Sequence, residues 1–235
     1  MMNLAALFSG GKDSTYAAYL MEQMGHRVSV LVSVVPEDPY SLVFHTPNLH
    51  LLPLMAEAMG KSMVTVHSDG SEEGDLEALA RALSLIKVDG VVTGAVASDY
   101  QWDRINGVCH KLGLRTFSPL WRKDQGLLMR EIIGSGVRAM VVAVMAEGLG
   151  KEWLGRILDE KALEDLGSLK RSKGVSPSGE GGEYESLVLD SPLHIHPLVV
   201  SDYKSQISRD GGRILITHVE LGDKKDGNSS FQCHG

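Results

Sequence analysis

Cysteine is scarce in this chain. Its two cysteines, Cys109 and Cys233, lie far apart and form no C-x-x-C pair. That excludes a disulfide framework, a thiolate zinc site and most thiol-relay chemistry. Cys109 falls on the apolar face of an expected helix and reads as a packed core thiol. Long apolar runs are also missing. No stretch approaches the ~20 residues needed to span a bilayer, and no basic segment followed by a long apolar run opens the chain. The expectation is a cytoplasmic protein without a membrane partner. Positive charge is in deficit: a formal net charge of −7 argues against a broad phosphate-backbone footprint, so no direct nucleic-acid partner is expected. There is no internal repeat.

Against those absences stands one dense motif, Ser9-Gly10-Gly11-Lys12-Asp13-Ser14. It follows the apolar run over 4–8 and precedes a helical pattern with Tyr16, Ala17, Leu20, Met21 and Met24 on one side. Strand, glycine-rich turn and helix in that order make an anion site. The glycines let backbone N–H groups approach a ligand, and the new helix adds its positive end. Lys12 adds a point charge, and Ser9 and Ser14 add hydroxyls. It is not a Walker loop, which needs Ser or Thr directly after its Lys and Gly five residues before; those places hold Asp13 and Leu7. Nor is it the dinucleotide fingerprint, because Gly10 and Gly11 are adjacent. The hexamer resembles the SGGKDS loop of the PP-loop ATP pyrophosphatases. That resemblance implies cleavage of ATP to AMP and pyrophosphate, with the loop holding the pyrophosphate part.

At 235 residues, 43% hydrophobic and 23% charged, the chain is ordinary for a globular protein with one large domain or a domain and a smaller appendage. Over its first ~120 residues, strand and helix patterns alternate, the signature of a parallel sheet covered on both faces. Strands are expected over 27–35, 61–66, 88–93 and 114–117, with 88–93 central because it is apolar on both faces. A helix over 49–59 takes Asn48 as its N-cap. From about residue 123 the pattern changes: a helix over 127–135, a buried strand over 139–146 and a helix over 159–169. A polar, glycine-rich stretch over 172–186 follows, then two alternating strands over 194–200 and 213–221 that suit an antiparallel pair. The expected division is an ATP-binding domain over 1–122, a smaller α+β domain over 123–222 and a disordered tail over 223–235. His194 and His196 alternate along one of those strands and, lacking a third ligand nearby, read as a partly exposed strand face rather than a metal site.

The other stretch with chemistry is Gly179-Glu180-Gly181-Gly182-Glu183-Tyr184-Glu185. Its three carboxylates would repel phosphate. Where the loop enters a strand, Glu183 and Glu185 share one face and Tyr184 takes the other. Carboxylates beside an aromatic ring suit a quaternary ammonium or ammonium ligand, or a general base. A solvated acidic linker is the bland alternative.

SGGKDS (9–14), FHTPN (44–48), GAVASDYQ (94–101), PLW (119–121), WLGR (153–156) and GEGGEYES (179–186) together resemble the diphthine–ammonia ligase family in its short archaeal form, over residues 4 to about 193. The resemblance implies a Rossmann-like α/β fold of the PP-loop, adenine nucleotide alpha hydrolase-like type. It also implies a reaction: adenylation of the carboxylate of diphthine, the trimethylammonium-bearing modified histidine of translation elongation factor 2, and attack by ammonia to give diphthamide. ATP and Mg²⁺ are the implied cofactors, and elongation factor 2 and ammonium the partners. No glutaminase-like segment is evident, so free ammonium is the simplest donor, and a homo-oligomer is compatible with the chain. Carried over by position, Ser9, Gly10, Gly11, Lys12, Asp13 and Ser14 bind phosphates, Ser33, Val34, Gly94 and Ala95 flank adenosine, and Asp13 orients Mg²⁺. His45, Asn48, Ser98, Asp99, Tyr100, Gln101, Glu180, Glu183, Tyr184 and Glu185 face the substrate, with Lys12, Asp13 and Glu183 catalytic. Asn106 stands where the family pattern has a carboxylate, and Ser176, Ser178 and Ser186 also depart from it. Two other readings compete: another PP-loop reaction such as tRNA modification, and a non-catalytic adenine-nucleotide sensor.

Overall fold

The computed structural model describes residues 1–36, 48–208 and 211–224. Its first part alternates β1 (Asn3–Leu7), α1 (Lys12–Gln23), β2 (Arg27–Pro36), α2 (Leu52–Ala58), β3 (Ser62–Ser68), α3 (Glu72–Ser84), β4 (Gly90–Val92), α4 (Asp99–Lys111) and β5 (Arg115–Phe117). The five strands are parallel in the order β3-β2-β1-β4-β5, the Rossmann-like α/β sheet expected. β4 is interior, but β1 holds the centre. The chain winds outward through β2 and β3, then returns to the other side of β1. That reversal opens a crevice beyond the carboxyl ends of β1 and β4.

The period of two along β1 sorts its side chains onto two faces. Leu4, Ala6 and Phe8 join one buried cluster with α1 and α2, and Ala5 and Leu7 join another with Leu79, Ile105 and Cys109 of α3 and α4. Cys109 is fully buried, and burial pushes its thiol pKa up, as suits a core thiol. Helix starts follow local chemistry: Ser71 accepts from the Gly74 N–H, Ser98 from Gln101, Asp124 from Leu127 and Asp159 from Ala162.

The second part comprises α5 (Gln125–Gly134), β6 (Arg138–Val144), α6 (Glu160–Lys173), β7 (Tyr184–Asp190), β8 (Leu198–Ser208) and β9 (Gly211–Leu221). Its strands form an antiparallel sheet in the order β7-β6-β9-β8. Leu128, Met129, Ile132, Val141 and Leu187 from this part lie in the same buried cluster as Tyr16, Met21, Leu52 and Met55. One apolar core therefore runs across both sheets and holds their loops in register.

Two expectations need correction. Asn48 does not cap a helix: it sits at φ 66 with no side-chain cap bond to the short 3₁₀ turn after it. Its amide instead donates to the Ile214 carbonyl and accepts from the Ile216 N–H, both at 2.9 Å. β6 pairs with β9 only at Gly212 and Arg213, so the next buried peptide groups of β9 need another partner, and an amide side chain supplies the same donor–acceptor pair as a strand. The strand expected over 194–200 begins only at Leu198. His194 lies before it in a turn, 3% exposed, with Nδ1 2.7 Å from Ser191 Oγ. Burial, and secondarily Lys224, pushes His194 down to about 4, so it is a neutral buried ring rather than an exposed face; His196 alone is exposed. Of the tail, Lys224 is tied to the Ser191 and His194 carbonyls, and 225–235 lie outside the described residues.

Candidate active site

A cleft of about 640 Å³ occupies the crevice, lined by Ser9, Gly11, Lys12, Asp13 and Ser14 from the first loop, Ser33 and Val34 from β2, and Gly94 and Ala95 after β4. Gly10 does not line it. At φ +77, and with a Cβ position 2.9 Å from Met55 Sδ, it makes the turn that aims its neighbours there. Gly94 works by close approach: a Cβ would come within 2.7 Å of the Ser14 backbone nitrogen, so only glycine lets β4 pass against the start of α1. Ser14 Oγ lies 3.2 Å from Ser9 Oγ and donates to the Gly11 carbonyl at 3.1 Å. α1 begins at Lys12 without a side-chain cap, leaving the positive helix end to the cleft.

The acidic loop closes the opposite wall. Lys12 Nζ donates to Asp13 Oδ2 at 2.7 Å and to the Ser178 carbonyl at 2.6 Å, and it sits 5.3 Å over the Tyr184 ring. The Lys12 N–H reaches Ser186 Oγ at 3.3 Å, and the Val188 N–H donates to the Gly10 carbonyl at 2.9 Å. Burial works to lower the Lys12 pKa, but Asp13, Tyr184 and Glu180 outweigh it and hold the ammonium well above its usual value. It stays charged across the physiological range. Asp13 Oδ1 is buried without a hydrogen-bond partner, a carboxylate oxygen free for a cation.

The three glutamates have separate fates. Glu180 lines the cleft and accepts from the Ala97 N–H at 3.2 Å. Burial, then the Asp13 charge, pushes it up to about 7 against the lowering effect of Lys12. Glu185 also lines the cleft. Glu183, expected to be catalytic, is absent from the lining: its carboxylate accepts from the Ser176 N–H at 2.9 Å and the Gly181 N–H at 2.8 Å. It staples the loop, because a tight glycine-rich turn leaves peptide N–H groups that a nearby carboxylate satisfies. Tyr184 lines the cleft as well, but it is 3% exposed, donates to the Pro177 carbonyl at 2.7 Å and turns its ring to the Lys12 ammonium.

Of the remaining expected residues, Ser98 and Gln101 line the cleft. Asp99 and Tyr100 do not: Asp99 holds Arg122, and Tyr100 bonds Glu72 and lies under the Arg104 guanidinium. Helical rotation explains the split, since 98, 101 and 105 share a face that 99 and 100 do not. Asn48 is likewise spent on β9, and His45 lies outside the described residues. Ser178 and Ser186 were not expected as site residues; both are small hydroxyl residues within the polar, glycine-rich stretch 172–186, and only the packing of that stretch on the first loop reveals their contacts with Lys12.

Residues 2–116 match the family described as diphthamide synthase N-terminal domain, and 124–221 the diphthamide synthase C-terminal domain. A Rattus norvegicus protein named diphthine–ammonia ligase is 36% identical over 243 residues, covering 94% of this chain and 91% of that one. The chain belongs to the diphthine–ammonia ligase family. A Danio rerio diphthine–ammonia ligase is 35% identical over 252 residues, covering 96% and 98% of the two chains. Among solved structures, a predicted subunit of tRNA methyltransferase from Methanocaldococcus jannaschii overlaps 82% of this chain and 98% of its own at 16% identity and a TM-score of 0.46. Both diphthine–ammonia ligase family regions contribute to the cleft: 9–14 and 94–101 from the first, 178–186 from the second. Among the described residues no helix is long and apolar enough to cross a membrane, and no group of three or more His, Cys, Asp and Glu side chains could hold a metal ion by itself.

Proposed function

We propose that this chain is an AMP-forming ligase that amidates diphthine on elongation factor 2 to diphthamide, in the cytoplasm, with free ammonium as the nitrogen source. The observation that carries the proposal is the joining of a phosphate-type loop and a carboxylate-lined wall in one cleft, bridged by Lys12. The diphthine carboxylate attacks the α-phosphorus of ATP, and the bond to pyrophosphate breaks. Negative charge grows on that leaving group, where the Lys12 ammonium and the positive start of α1 are held in place and need no rearrangement. Ammonia then attacks the acyl carbon, AMP leaves with the bonding pair, and the nitrogen gives up its extra proton to solvent to leave the neutral amide.

At neutral pH the nitrogen arrives as ammonium and must lose a proton. Glu180, with its pKa near 7, is placed to take it, since a base works best near the operating pH. Glu185 adds a second carboxylate beside it to hold the cation. Mg²⁺ fits the wall: magnesium prefers one or two carboxylates plus phosphate oxygens, and the free Asp13 Oδ1 is such a ligand. When bound it supplies charge neutralisation for the triphosphate. Residues 123–222 contribute the substrate side and 1–122 the nucleotide side.

The test is incubation with ATP, Mg²⁺, ammonium and an elongation factor 2 stopped at diphthine, following AMP, pyrophosphate and the mass of the histidine peptide. Amide that needs every component establishes the ligase. ATP binding without AMP or amide sinks it.

A further inference from the structure

We propose that the stacked pair Trp102 and Trp121, together with Arg122, forms the surface on which the acceptor protein docks; this rests on the ligase reading above. Trp102 lies in the first turns of α4 and Trp121 on the turn after β5. Their ring centroids are 5.3 Å apart with planes inclined by 22°, and both are half-buried. The Arg122 guanidinium lies 5.0 Å over the Trp121 ring and forks onto the Asp99 carboxylate at 2.6 and 2.7 Å.

The patch is anchored to a wall of the cleft. Leu120 is fully buried beneath it, and the Arg122 N–H donates to the Val96 carbonyl at 2.7 Å. Val96 adjoins Ala97, whose N–H holds Glu180 in the cleft lining. A side chain still attached to its protein brings that protein's surface to the mouth of the cleft when it reaches Glu180, and this patch is bonded to the segment that holds Glu180. Arg122 is exposed at φ 58, a left-handed conformation that costs an arginine free energy and a glycine little. The Asp99 carboxylate and the Trp121 ring hold the arginine in that conformation and fix its guanidinium at the surface. Half-buried tryptophan and a held arginine are the residue types that dominate binding energy at protein interfaces, and a rigid patch loses little entropy on docking. Trp121 is a poor cage for the trimethylammonium itself, because the Arg122 guanidinium lies over its ring and Trp102 stacks on it.

The test compares wild type with Trp102→Ala, Trp121→Ala and Arg122→Gly on two acceptors, intact elongation factor 2 stopped at diphthine and a short synthetic peptide carrying diphthine. Arg122→Gly removes the cation while relieving the backbone, so it guards against mere misfolding. The expected result is a KM for the intact acceptor raised roughly tenfold or more, with kcat within about twofold and ATP affinity and peptide KM unchanged. An unchanged KM for the intact acceptor overturns the proposal. An equal rise for both acceptors also overturns it and assigns the rings to the diphthine side chain. Wild type forming no amide with either acceptor strikes the ligase reading instead.

Discussion

The two loops that face each other across the cleft are both glycine-rich, and they work in opposite ways. In the first, residues 9–14, the chemistry lies mostly in backbone geometry and in one cation whose position follows from its neighbours: Gly10 makes the turn, Lys12 opens α1, and the strand–turn–helix order aims the N–H groups. In the second, residues 179–186, the chemistry lies in side chains, and near-identical glutamates do different things. Glu180 faces the cleft with a raised pKa, while Glu183, three residues on, is consumed by two backbone N–H groups. A loop that binds through its backbone is defined by conformation. A loop that binds through carboxylates is defined by which of them the fold turns into the cleft.

The sharpest break of that comparison is Lys12→Ala. It removes the cation shared by both walls, and AMP and pyrophosphate release should fall by at least roughly 10²–10³-fold, the size of losing a fixed transition-state donor; a fall under tenfold, read by coupled pyrophosphate assay, would show that the bridge is structural. Glu180→Gln should then lower amide formation by about 10²-fold or more while diphthine-dependent ATP–pyrophosphate exchange persists. In wild type the amide-forming rate should climb with pH through about 7, and the variant should lose that limb. Glu183→Gln should leave chemistry near wild type and instead cost about 1 kcal/mol of stability, the weakening of one part-buried and one exposed charge-assisted bond, measured by urea unfolding. Equal loss of catalysis in both variants would erase the distinction drawn between them.

The smallest effect is on pH and stability. The folded Glu180 binds its proton more tightly than an ordinary glutamate, with a pKa near 7 against 4.5. Between those values the native state carries more protons than the unfolded chain, so stability falls as pH rises from about 4.5 to 7 and levels off above. The contribution is on the order of 1–3 kcal/mol, and Glu180→Gln should flatten it. A wild-type stability that rises over this window after other groups are matched would contradict the burial of Glu180.

The parallel sheet, the nucleotide loop and the antiparallel hairpin were legible because each rests on local signals: short apolar or alternating runs, and a glycine turn between strand and helix. The strand order was not, since β1 takes the centre only once the chain reverses past it. His194 was misplaced for a related reason. Its alternation with His196 looks like a strand, but the turn at Ser191 and the Lys224 contacts hold it buried outside the sheet.

What the sequence determined by itself, then, was a cleft at the ends of parallel strands, walled by an anion-binding loop, because backbone turns and helix ends are dictated within a few residues. Only the tertiary structure decided which polar groups would line it. Asn48 was drawn off to the uncovered edge of β9 and Glu183 to the turn beside it, Tyr184 turned its ring to Lys12, and Glu180, Glu185 and the unbonded Oδ1 of Asp13 came to the cleft. The physical reason is that a buried donor must find an acceptor, wherever in the chain it lies. Such pairings join residues as far apart as Lys12 and Ser178, beyond the reach of any local pattern.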